Sequence, residues 1–302
     1  MSLVRLGSLH PGKIGVFAGA LAGQPAAVQR QVVAEMERLG YGTLWYGEAV
    51  GREAFAQGAI YLAAGSRLVV GTGIANIYAR DPQAMAAGGR TLADAWSDRF
   101  ILGIGVSHAP LVTARGHDYT RPYSAIRRYL DGMQAAAWRG PDVALPPIVL
   151  AALGPRMVAL AAERSAGAYP YFTTTEHIRA IRAQMGPEPF LAADLPVVLA
   201  ADRAAARAIG DRHTRLYLRL DNYRNNLVRA GWRTDDLEPP GSDRLFDAIV
   251  AWGDLEAIRR RVDAHFAAGA DQVVLNVITA DPSQPYLEEL RALARLTAAG
   301  AG

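Results

Sequence analysis

Short, almost wholly apolar runs alternate along this chain with longer segments whose apolar residues recur at helical spacing. Residues 13–17 (KIGVF), 43–46 (TLWY), 68–70 (LVV), 100–105 (FILGIG), 148–151, 168–172 (AYPYF), 195–200 (LPVVLA) and 272–276 (QVVLN) read as strands. Their apolar character is continuous rather than alternating, as expected of strands buried on both faces of a parallel sheet. Pro170 weakens the sixth of them. Helical periodicity marks residues 25–39, 54–64, 82–94, 121–138, 154–165, 175–185, 254–268 and 285–298. A long polar and helical region, 202–231 followed by 242–251, separates the seventh strand from the eighth. Strand then helix, repeated eight times, predicts an α/β fold of the (β/α)8 or TIM-barrel type, as a single domain over residues 1–302.

A chain of 302 residues with 51% hydrophobic content is long enough for that core. It has no cysteine, so disulfides, thiolate metal sites and cysteine nucleophiles are excluded. No run reaches the roughly 20 apolar residues of a membrane span, and the segment MSLVRLGSLHPGK lacks the apolar core of a signal peptide. A cytoplasmic protein is expected. The net charge is +3, and the cations are arginines apart from Lys13. They are interspersed with acids, as in Arg259, Arg260 and Arg261 against Asp254, Glu256 and Asp263, which describes solvated helix faces rather than a nucleic-acid stripe. No pair of histidines stands at ligand spacing on a strand end, so no metal site is expected.

In a barrel of this kind the site lies at the carboxyl ends of the strands. The third strand ends in Gly71-Thr72-Gly73, where the backbone is free to approach another group, and continues through Asn76 and Tyr78 to a helix capped by Asp81 with Pro82 at its first position. Glu48 follows the second strand. Gly105, Val106, Ser107 and His108 follow the fourth. Ala152, Leu153, Gly154, Pro155, Arg156 and Met157 follow the fifth, and there either an ordinary capped helix or an anion site at a helix start fits equally well.

These same stretches resemble the luciferase-like monooxygenase superfamily, and within it the actinobacterial branch of enzymes using the deazaflavin coenzyme F420. The resemblance covers almost the whole chain and rests on residues 71–82, 100–110 (FILGIGVSHAP), 151–157 (AALGPRM), 222–226 (NYRNN) and 242–254 (SDRLFDAIVAWGD). It implies a luciferase-like barrel with shortened insertions and a non-proline cis peptide at Gly73-Ile74 behind the deazaflavin ring. It further implies that Ala75, Asn76 and the backbone of Gly105 to Ser107 line the ring and ribityl chain, while the Gly154 to Met157 turn approaches the phosphate. His108 aligns with the carboxylate proton donor of sugar-phosphate dehydrogenases in the superfamily, and Glu48 with an acidic or histidine residue beside the ring. His108 is therefore the leading catalytic candidate, because an imidazole with an ordinary pKa of about 6.5 both gives and takes protons near neutrality. Glu48 is its competitor. His10, His117, His177, His213 and His265 lie away from strand ends, with His117 the least dismissible.

Residues 110–122 and 217–232 are expected to wall the substrate, with Phe17, Tyr46, Tyr78, Tyr171, Tyr223 and Trp252 as substrate-lining candidates. The activity implied is hydride transfer between F420 and a small organic molecule bearing C=C, C=N or C=O, or the reverse. An FMN-dependent monooxygenase and a cofactor-binding barrel without catalysis are the alternatives. Relatives are often homodimers, and the helix after the third strand would permit that.

Overall fold

The computed structural model describes residues 6–300, with side chains through residue 297; residues 1–5 of the polar opening segment lie outside the described residues. Eight parallel strands close into a barrel: β1 (Ile14–Phe17), β2 (Thr43–Tyr46), β3 (Val69–Thr72), β4 (Phe100–Gly105), β5 (Ile148–Leu150), β6 (Gly167–Ala168), β7 (Phe190–Leu199) and β8 (Gln272–Val277). Closure is made by β8, which pairs with β7 on one side and β1 on the other, aligning Val274 with Asp194 and with Gly15. Two short pieces extend this scaffold, Ala75–Asn76 beside β4 and Ala251–Gly253 beside β7.

Several boundaries differ from those expected. The sixth strand is Gly167–Ala168 rather than 168–172, because proline at 170 donates no ladder hydrogen bond. The seventh begins at Phe190, five residues early, and so carries Asp194 into the barrel wall. The helix over 121–138 spans Pro122–Gln134 and ends before Trp138, whose indole donates to the Pro141 carbonyl at 2.6 Å. A short helix, Ala109–Thr113, directly follows His108.

The interior of the barrel is filled by Trp45, Val69, Ile101, Val149, Tyr169, Phe190, Ala192 and Val274. Its amino-terminal end is closed by Gln272, whose amide accepts from the Trp45 indole at 2.8 Å and donates to the Pro11 carbonyl at 2.6 Å. Outside the staves, the helices bury a larger apolar layer. A further cluster of Phe172, Val198, Leu218, Tyr223, Leu227 and Phe246 roofs the other end beneath the helices Arg203–Tyr217, Asp221–Arg229 and Asp243–Ile249. Apolar packing thus seals the bottom and builds a wall at the top, where the strand ends converge.

Candidate active site

At the carboxyl ends of the strands lies a cavity of about 440 Å³. Its floor is made by the end of β3. The Gly73–Ile74 peptide is cis, and the chain bulges inward there before rejoining the sheet as Ala75–Asn76. The bulge is tied at two points, by Gly73 N–H to the Tyr46 carbonyl (2.6 Å) and Glu48 N–H to the Ile74 carbonyl (3.0 Å). Residue 73 must be glycine in this packing, since a Cβ would stand 2.6 Å from the Tyr169 ring.

Glu48 is buried against this bulge and its carboxylate is fully engaged. It accepts from Asn76 N–H at 2.9 Å and Ala54 N–H at 3.2 Å, and it pairs with the guanidinium of Arg80, which also reaches Glu53 at 2.8 Å. Glu48, the expected competitor of His108 for the proton, thus has both oxygens already engaged. Although it touches the cavity, its oxygens anchor the bulge.

His108 lines the cavity beyond the end of β4. Its Nδ1 is buried without a partner among the described residues, its ring lies 5.5 Å from that of Tyr223, and both line the cavity. Burial pushes the imidazole below its ordinary value of 6.5, opposed by a hydrogen bond with Asn222. Before it, Ser107 holds a positive φ of 58°, and its carbonyl accepts the Tyr119 hydroxyl at 3.0 Å. Burial pushes Tyr119 up to about 12, so its proton stays on at neutral pH.

The third side begins after β5. Ala152, Leu153, Gly154 and Met157 line the cavity, with Gly154 capping the helix Pro155–Arg164. Arg229, from the helix Asp221–Arg229, faces Gly154: its Nη1 is 3.6 Å from where a Cβ on that glycine would stand. One of its five N–H groups is used by the Asn226 side chain, at 3.2 Å. A guanidinium beside a helix start is a site for a phosphate or carboxylate.

Of the residues expected from the sequence, Phe17, Glu48, Gly73, Ile74, Val106, Ser107, His108, Ala152, Leu153, Gly154, Met157, Tyr171 and Tyr223 meet in this cavity. The others lie elsewhere. Tyr46 points outward, its hydroxyl on the Ala54 carbonyl at 2.6 Å and its ring edge-on to Tyr61. Tyr78 sits behind Tyr119, between it and His117. Trp252 donates to Asp247 at 2.8 Å and packs under Arg203. Ala75 and Asn76 are fully buried behind the bulge, where Asn76 Oδ1 accepts from Tyr78 N–H at 2.9 Å and its Nδ2 has no partner among the described residues. Gly105 acts through what it lacks, because a Cβ there would come within 3.0 Å of Ile74. Pro155 only opens its helix, and Arg156 lies over the Tyr123 ring at 4.2 Å, away from the cavity.

The sequence pointed to no role for Arg229, Tyr119, Tyr169 or Tyr217, and marked Asn222 only as part of the NYRNN segment; all five line the cavity. Four of these five fall in residues 110–122 and 217–232, the segments expected to form its wall. Among the described residues no group of histidine, aspartate and glutamate is arranged to hold a metal ion, and no helix is long and apolar enough to cross a membrane.

Comparison with known proteins agrees with this architecture. Residues 4–272 match the profile of a family described as luciferase-like monooxygenase. A protein of Mycobacterium tuberculosis, provisionally named a coenzyme F420-dependent oxidoreductase, is 29% identical over 349 aligned positions, which cover 94% of this chain and 98% of that protein. Among solved structures, an F420-dependent secondary alcohol dehydrogenase in complex with an F420-acetone adduct superposes with a TM-score of 0.74 at 15% identity, covering 97% of this chain and all of that one. The coenzyme F420 dependent tetrahydromethanopterin reductase of Methanopyrus kandleri gives 0.72 at 14% identity, covering 95% and 98%. The oxygenating constituent of the 3,6-diketocamphane monooxygenase of Pseudomonas putida, in complex with FMN, gives 0.70 at 13% identity, covering 97% and 98%. At these identities the three structures bear on the fold.

Proposed function

This chain belongs to the luciferase-like monooxygenase family, and from that premise we propose that it is a coenzyme F420-dependent oxidoreductase, transferring a hydride between the deazaflavin and a small organic substrate. The observation that carries this reading is the near full-length match to the M. tuberculosis protein named for F420-dependent oxidoreduction. The cavity supports it. Ile74 and Val106 offer apolar surface for a flat ring at one end, and the start of the helix Pro155–Arg164 with Arg229 offers positive charge for a phosphate at the other. When bound, F420 would supply a hydride in its reduced form and take one up in its oxidised form.

The chain's own groups then do the positioning and the proton work. Arg229 and the Gly154 turn hold an anionic group. The bulge, fixed through Glu48 and Arg80, sets the depth to which a ring enters. Phe17, Tyr169, Tyr171 and Tyr223 exclude water from the remaining space. His108, which lines the cavity, exchanges a proton with the substrate through its imidazole. Because burial keeps its imidazole largely neutral near pH 7, it is better suited to taking a proton during substrate oxidation than to giving one during reduction.

A second reading, a monooxygenase using reduced FMN and oxygen, is favoured by the FMN-bound neighbour of the same fold. Equilibrium titration of the purified protein with F420 and with FMN separates the two. Micromolar or tighter binding of F420, with FMN at least about tenfold weaker (about 1.4 kcal/mol), is expected. Preference for FMN favours the monooxygenase, and binding of neither refutes both cofactor readings.

A further inference from the structure

Tyr171 and Tyr217 face the cavity side by side, with their hydroxyl oxygens 3.1 Å apart. The Tyr171 oxygen also accepts from Asn276 Nδ2, a buried side chain of β8, at 2.6 Å. A tyrosine hydroxyl has one proton to give. The pair therefore has two protons and one mutual hydrogen bond, and whichever way that bond runs one proton is left over. Among the described residues neither hydroxyl donates to any group outside the pair. The rings are fixed in place, with Tyr171 5.6 Å from Phe17 and Tyr217 stacked 5.2 Å from Phe172. A rigid wall thus presents one unspent O–H donor to the cavity.

We propose that the Tyr171–Tyr217 pair is the element that recognises the substrate, and that it selects a neutral molecule whose exposed carbonyl or imine, the oxidised member of the reacting couple in either direction, accepts that leftover proton in a hydrogen bond. An acceptor is required because burying the donor unpaired is unfavourable. Neutrality follows from the lining, in which the sole arginine, Arg229, stands beside Gly154 and the Glu48 carboxylate is already committed to Arg80. This deepens the reading above by naming the substrate class of the same cavity. It rests on that reading only in taking the cavity as the place where substrate lies.

The test uses two probes of equal shape, cyclohexanone and methylenecyclohexane, titrated into the purified protein with and without F420 and followed by ligand-observed NMR. Wild-type protein is expected to bind the ketone about fivefold more tightly than the hydrocarbon, the worth of about one hydrogen bond. Tyr171→Phe and Tyr217→Phe each leave one hydroxyl proton, so each keeps a preference; the double variant abolishes it while binding the hydrocarbon as before. Equal affinities in the wild type, no binding of the ketone, or a preference that survives the double substitution overturns the proposal. Circular dichroism confirms that each variant is folded, and Asn276→Leu, which removes the donor to Tyr171 but no hydroxyl, is expected to retain the preference. Failure of F420 to bind while the ketone preference holds strikes the cofactor reading alone, and the reverse result strikes this one alone.

Discussion

Replacement of Asp194 by asparagine should stabilise the protein increasingly as the pH rises. Asp194 lies in the middle of β7, wholly inaccessible to solvent, and no cation is among the groups that set its charge. Burial pushes its carboxyl well above the ordinary range; the Phe172 backbone and the side chains of Asn276 and Tyr169 oppose that only in part. The folded state consequently holds a proton that the unfolded chain, with a carboxyl pKa of about 3.9, releases. Such a group contributes its stability in full below the unfolded pKa and loses it as the pH climbs towards the folded pKa. Within that window the loss is at most about 1.4 kcal/mol per pH unit. Asparagine has nearly the same shape and no proton to lose. Any cost of its own amide in that position is the same at every pH, so the slope and not the offset is diagnostic. Urea unfolding of both proteins at pH 5, 6, 7 and 8 measures it: the stability of the variant relative to wild type is expected to rise with pH, by at most about 1.4 kcal/mol per unit, and to level off above the folded pKa. Parallel stability curves, or a wild type that gains on the variant as the pH rises, would show that Asp194 is ionised in the fold and refute the reasoning.

Other consequences are as direct. In Gly103→Ala the new methyl would stand 1.8 Å from the Thr72 carbonyl oxygen, a backbone atom, so β3 and β4 must separate. A loss of more than about 3 kcal/mol and a melting temperature lower by about 6 to 12 °C are expected in a thermal scan. Arg80→Ala strands the buried Glu48 carboxylate and should cost about 3 to 5 kcal/mol in urea unfolding; the double variant Arg80→Ala with Glu48→Gln should recover part of that loss. Since burial lowers the His108 pKa, the oxidative rate should rise as the pH climbs through a value below 6.5 and be flat above it, and His108→Asn should remove the rise. A rate that instead rises through pH 8 in the wild type excludes His108 as the base.

Apolar runs made the staves legible, because a strand buried on both faces leaves little room for polar residues. What they did not reveal was sidedness. In TLWY, Trp45 and Tyr46 occupy alternate faces, and nothing in four apolar residues says that the indole enters the barrel while the phenol packs under the helix Ala54–Leu62. Tyr78 and Trp252 were misplaced for a similar reason, an aromatic near a strand end being read as facing the cavity. The engagement of Glu48 was hidden because Arg80, its partner, is 32 residues away. Arg229 sits at the end of a polar helix whose NYRNN segment already stood out, yet only the fold brings it to Gly154, 75 positions earlier. Asp194 was hidden because the strand was expected to start at residue 195, just beyond it, rather than at Phe190.

The closed end of the barrel bears on the order of events. Gln272 and Trp45 plug the amino-terminal opening, and the indole lies 4.8 Å from the Tyr169 ring that forms part of the cavity. The chamber is consequently closed at its amino-terminal end and meets solvent towards the carboxyl ends of the strands. Two molecules that share it therefore come and go on the same side, and which of them lies deeper bears on the order in which they arrive and depart.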